Sequence, residues 1–78
     1  MYYVYMLQSA DEEHWYVGLT EDFERRIIEH NAGKSPHTSK FGPWKLKTCI
    51  TFTNRGRAEA FERYLKSHSG RAFTRKHL

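Results

Sequence analysis

Tyr2-Tyr3-Val4-Tyr5-Met6-Leu7 and, after a polar interval, Trp15-Tyr16-Val17-Gly18 are the two stretches that decide how this chain begins to fold. Aromatic and β-branched side chains favour extended backbone, so both stretches read as strands. The interval from Ser9 to His14 carries Asp11, Glu12 and Glu13. It reads as the longer-than-minimal turn of a β-hairpin that starts a sheet.

Outward from the hairpin, Thr20 offers a helix N-cap, and Glu21 and Asp22 put negative charge where the dipole of a first helical turn favours it. A helix is expected to run to about Asn31, with Gly33 stopping it and a Gly-, Pro-, Ser- and Thr-rich loop following from Lys34 to Pro43. Leu46 to Thr53 reads as a third strand, Asn54 to Gly56 as a break and Arg57 to His68 as a second helix. Ser69-Gly70 then precedes a short basic terminal helix. The expected fold is α+β, of order β-β-α-β-α-α: a small three-stranded antiparallel sheet flanked by two main helices and a short C-terminal one.

The chain has 78 residues, a length that predicts one domain over residues 1–78 with a thin margin of stability. Thirteen Lys and Arg face nine Asp and Glu, and from Arg63 to Leu78 there are five of these basic residues and no acid. A polyanion is the natural partner of such a surface, although a solvated basic tail explains the charge equally well. Cys49 is the only cysteine, so no intrachain disulfide can form and a reducing cytoplasm is the expected compartment. The histidines, at positions 14, 30, 37, 68 and 77, lack the spacing of a structural zinc site. No apolar run reaches the length of a membrane span, and no leader precedes a cleavage site. The chain reads as soluble and unprocessed.

Three further features bear on chemistry. On the first helix, spacing puts Phe23 and Ile27 on the buried stripe and Arg26 and His30 one turn apart along its border. The ordinary reading of Arg26 is an ion pair with Asp22, worth about 0.3–0.5 kcal/mol, and of His30 a favourable helix-end residue. On the second helix Ala58, Phe61 and Leu65 define the buried face, with Glu62 at its edge. A carboxylate there needs a partner: either Lys66, four residues on, or a divalent cation.

Tyr3-Val4-Tyr5 and Tyr16-Val17-Gly18, ten residues apart, resemble the paired motifs that name the GIY-YIG nuclease superfamily. Arg26 with His30, and Glu62 on the second helix, match the family's helical arginine, its His or Tyr four residues later, and its single metal-binding glutamate. Asn31-Ala32-Gly33-Lys34, Thr38 and Pro43, and the segment from Leu65 to Phe73, are also similar to small stand-alone members and to the nuclease domain of the excinuclease C subunit. Tyr3 stands where the family has glycine, and valine replaces both isoleucines.

The resemblance implies a metal-dependent endonuclease that hydrolyses phosphodiesters, with DNA the expected nucleic acid. Glu62 holds one Mg²⁺ or Mn²⁺ ion per site, bound weakly until nucleic acid arrives. Arg26 contacts the phosphate, and Tyr5 takes a proton from water that Tyr16 orients. Lys34, Thr38, Lys66 and Arg71 are expected to touch nucleic acid. A free phenol ionises near about pH 10, so poising Tyr5 at neutrality needs about 4 kcal/mol of preference for phenolate, which Arg26, the metal or Lys34 could supply. His30, with an ordinary pKa near about 6.5, is the rival base. The alternative is a module on the same fold that binds nucleic acid or a protein without cutting.

Overall fold

A computed structural model describes residues 1–34 and 38–78. The elements are β1 (Tyr2–Ser9), β2 (Trp15–Thr20), α1 (Phe23–Asn31), β3 (Trp44–Phe52), α2 (Arg55–Lys66) and α3 (His68–His77). The order and the three-stranded antiparallel sheet are those expected from the sequence. Of the loop expected from Lys34 to Pro43, residues 35–37, His37 among them, lie outside the described residues.

The strands run β2-β1-β3, with β1 in the centre and antiparallel to both neighbours. Because successive side chains of a strand point to opposite faces, β1 serves two cores. Val4 and Met6 pack with Ala58 and Leu65 of α2, joined by Val17, Leu19, Phe61 and Phe73. Tyr5 and Leu7 point the other way, to Trp44, Tyr16 and Cys49 and to Phe23 and Ile27 of α1. The sheet is thus covered on both faces, by α2 and α3 on one and by α1 on the other.

Element ends differ from the sequence reading where side-chain caps decide them. Asp22, not Thr20, caps α1, its carboxylate accepting from the Arg25 amide at 3.2 Å. The Thr20 hydroxyl accepts instead from the Asp22 amide. At the other end Gly33 takes a φ of 74°, and the amides of Gly33 and Lys34 donate back to the carbonyls of His30 and Glu29. This is a glycine-terminated stop that a side chain at Gly33 would strain. Asn54, read as part of a break, is the N-cap of α2, which begins at Arg55 with Gly56 inside its first turn.

Ser67 both ends α2 and caps α3, so Gly70, expected to separate the two helices, lies within α3. There it is buried against the last turn of α2. A Cβ on it would lie 1.8 Å from the Tyr64 carbonyl oxygen and 2.6 Å from the Leu65 Cα.

Candidate functional site

The site grows from the register of the hairpin. Tyr5 of β1 stands directly opposite Gly18 of β2, and paired residues of an antiparallel ladder project to the same face. With no side chain on Gly18, the phenol lies flat across β2: a Cβ there would come within 2.3 Å of the Tyr5 hydroxyl and 2.4 Å of Cζ. Two residues back, Tyr16 leans toward it, with ring centroids 6.2 Å apart. The two phenols therefore gather at the edge strand of the sheet.

α1 supplies the next two groups. Tyr5 Oη and His30 Nε2 form a 2.8 Å hydrogen bond, and His30 Nδ1 lies 2.7 Å from Thr38 Oγ1. The Thr38 carbonyl accepts from Trp44 Nε1 at 2.8 Å. Asn31 Oδ1 accepts from the Trp44 amide at 2.7 Å, tying the end of α1 to the start of β3. Both nitrogens of the buried imidazole are thereby satisfied, as a polar group removed from water requires. The Arg26 guanidinium lies half-buried between this network and solvent, with an ion pair to Glu29 at 3.2 Å in place of the one expected with Asp22. Burial works against its charge, but the Tyr5 phenol, Glu29 and the Tyr16 phenol outweigh that and hold it firmly protonated.

Glu62 comes from α2, which packs against β2, and its carboxylate is close enough to raise the Tyr5 pKa. Two phenols, a guanidinium and an imidazole thus share one neighbourhood on the α1 face of the sheet, while the acid stands on α2, and of the influences on the Tyr5 phenol its charge ranks last, after burial, Tyr16 and Arg26. The Glu62 side chain is 22% exposed and also forms the ion pair anticipated with Lys66, at 3.3 Å. Among the described residues no three His, Cys, Asp or Glu side chains converge. The donor set fits a hard cation that takes one protein carboxylate and completes its shell with water and phosphate, not one caged by protein.

Two expectations are corrected. Thr38, expected to touch nucleic acid, is fully buried and spends its hydroxyl on His30, so it holds the imidazole from within. Tyr5, expected to take the proton of water, is 1% exposed. Burial first, then neighbouring Tyr16, push its pKa up to about 12 despite Arg26. It is a neutral, inaccessible phenol, and the half-buried Tyr16 is the one that meets solvent. Lys34, Lys66 and Arg71 are exposed, Lys34 just beyond the end of α1 and the other two beside a groove on the α2 and α3 side of the sheet. Sequence reasoning assigned no function to Gly18 or Trp44. The signal for Gly18 was the hairpin register, which sets the smallest residue of one motif opposite the last tyrosine of the other.

Burial, and after it the nearby Arg26 charge, lower the His30 pKa, Glu29 opposing weakly. Unfolded, the same ring titrates near about 6.5, so below that pH the unfolded chain binds the extra proton and the native state resists it. Stability from His30 is therefore complete above about pH 6.5 and declines as pH falls toward the lower folded value. Urea midpoints should drop between pH 7.5 and pH 5. A His30→Gln chain should lack this part of the decline, and a wild-type midpoint flat across that range would contradict a neutral buried imidazole.

Comparison with known proteins places this geometry in a wider group. The model of the GIY-YIG catalytic domain matches residues 1–76. The UPF0213 protein BH0048 of Halalkalibacterium halodurans is 37% identical over 71 residues, covering 90% of this chain and 74% of that protein. A structure-specific endonuclease subunit SLX1 homolog of Drosophila mojavensis is 42% identical over 71 residues, but the match covers only 23% of its length. The solution NMR structure of the UPF0213 protein BH0048 from Bacillus halodurans superposes with a TM-score of 0.59 at 35% identity, covering 96% of this chain and 81% of that one.

Proposed function

The chain belongs to the GIY-YIG catalytic domain family, a family of nucleases, and from that premise we propose that it is a metal-dependent endonuclease acting on DNA in the cytoplasm, as one domain over residues 1–78. The observation that carries the reading is the gathering of Tyr16 and Arg26, from two different elements, around the buried Tyr5–His30 pair, to which the family resemblance adds Glu62 of α2.

Hydrolysis of a phosphodiester needs a placed water and relief of the charge gathering on the phosphate. Tyr16, the solvent-facing phenol, orients the attacking water by accepting a hydrogen bond from it, and the water's proton passes to solvent. Arg26 donates hydrogen bonds to the non-bridging oxygens, the task for which a planar, permanently charged guanidinium is suited. Glu62, which pairs with Lys66 in this structure, would hold Mg²⁺ or Mn²⁺, and the ion would supply positive charge to the phosphate and to the leaving oxygen. Tyr5 and His30 are positioning residues. Their hydrogen bond, closed from behind by Thr38, fixes the floor on which Tyr16 and Arg26 rest.

Loss of one preorganised donor costs about 2.7–4 kcal/mol of barrier lowering, or about 100- to 1000-fold in rate. Arg26→Ala and Glu62→Gln should each lower metal-dependent nicking by that order in assays on single-stranded, duplex and branched DNA, with circular dichroism unchanged. Either variant cutting at the full rate would remove its residue from the mechanism. A wild-type protein that binds DNA yet cuts none of these substrates would leave only a binding module.

A further inference from the structure

On the sheet face covered by α2 and α3, a groove of about 800 Å³ opens between the β1–β2 hairpin and the two helices. Its floor is apolar, made by Met6, Val17, Leu65 and Leu78, and cations stand along it: Lys47 from β3, Lys66 from α2, Arg71 and Arg75 from α3. One acid, Glu13, opposes them. At the β2 rim the Trp15 indole is 46% exposed, a large aromatic surface left in water although an apolar floor lies beside it. Lys66 lines the groove and also pairs with Glu62 of the candidate site, so the two adjoin along α2.

We propose that this groove binds a single nucleic-acid strand leading into the site, with Trp15 as the platform on which one of its bases stacks. Cations flanking an aromatic face are the general means of gripping a single strand: the charges follow the phosphates and the ring takes a base. A duplex keeps its bases stacked inside and offers no base face to the indole. The groove's volume is that of a cleft for small ligands, room enough for splayed bases. An acidic peptide would satisfy the cations and leave the indole idle. The proposal deepens the nuclease reading and rests on it, because it names the form of nucleic acid that reaches Tyr16 and Arg26.

The chain carries two tryptophans, and Trp44 is only 5% exposed, so quenching of intrinsic fluorescence reports chiefly on Trp15. Titration with an oligothymidylate, in a chelator and at low salt, should quench emission, and a blunt duplex of equal length should bind more weakly without quenching. Trp15→Ala should weaken strand binding by about 5- to 150-fold, the worth of one stacked base, and Trp15→Phe should recover most of the loss. Arg71→Gln and Arg75→Gln should each reduce the slope of log affinity against log salt by about 0.7. Duplex binding as tight as the strand, or Trp15→Ala and Arg71→Gln binding the strand at full affinity, would overturn the proposal. The chelator removes turnover, so a strand that binds and quenches but is never cut when Mg²⁺ is restored defeats the nuclease reading and leaves the groove's ligand standing.

Discussion

Gly70→Ala is expected to unseat α3 and to lower stability by several kcal/mol. Alanine gains about 0.8–1.0 kcal/mol over glycine inside a helix, so on local propensity alone the change would stabilise. The added methyl, however, would lie 1.8 Å from a backbone carbonyl oxygen of α2, and no rotamer relieves a clash with main chain. The helices must separate. Phe73 and Leu78 then lose their seat on the Val4–Met6–Ala58–Leu65 core, and each large apolar side chain returned to water costs about 1.5–3 kcal/mol. The penalty exceeds the gain several-fold. In a chain of this size each kcal/mol moves the melting temperature by about 4–8 °C, so a calorimetric Tm should fall by 10 °C or more. A Tm equal to or above the wild type would show that the helices are not in this contact.

Gly18→Ala should damage fold and activity together. Its Cβ would overlap the Tyr5 hydroxyl and ring carbon, and overpacking of this kind costs about 1–3 kcal/mol. Tyr5 cannot swing clear without leaving His30 Nε2, and an unpaired buried polar group costs a further ~1–3 kcal/mol. The better strand propensity of alanine recovers at most about 1 kcal/mol. Because Tyr16 and Arg26 rest on the displaced phenol, nicking should fall at least as far as it does in Arg26→Ala. A Gly18→Ala chain with wild-type Tm and rate would mean that the phenol does not lie across β2. The combination is diagnostic: Glu62→Gln is expected to lose rate alone, Gly70→Ala stability first, and Gly18→Ala both.

The strand from Tyr2 to Leu7 was legible because the preference of aromatic and β-branched side chains for extended backbone is a local property. So was the stripe of Ala58, Phe61 and Leu65 on α2. Such signals survive whatever packs against them. Caps were less legible: Thr20 and Asp22 are both good N-cap residues two positions apart, and the choice between them was made by which side chain meets a free amide in the folded turn. Candidate residues on regular elements, namely Tyr5, Tyr16, Arg26, His30 and Glu62, could be named from spacing and resemblance.

What could not be read was what surrounds them. The sequence suggests cations to lower the Tyr5 pKa, yet burial reverses the sign, and burial is set by Phe23, Tyr16 and Trp44 arriving from elsewhere in the chain. Thr38 has the look of a polar loop residue and becomes fully buried because His30 needs a second partner. The close approaches at Gly18 and Gly70 depend on register and helix crossing, which no window of sequence contains.

Glu62 stands 57 positions after Tyr5 in the chain, so a product cut short before α2 holds both phenols and the guanidinium but lacks the acid proposed to hold the cation. Under the proposed mechanism such a fragment should leave nucleic acid intact, however well its hairpin and α1 form.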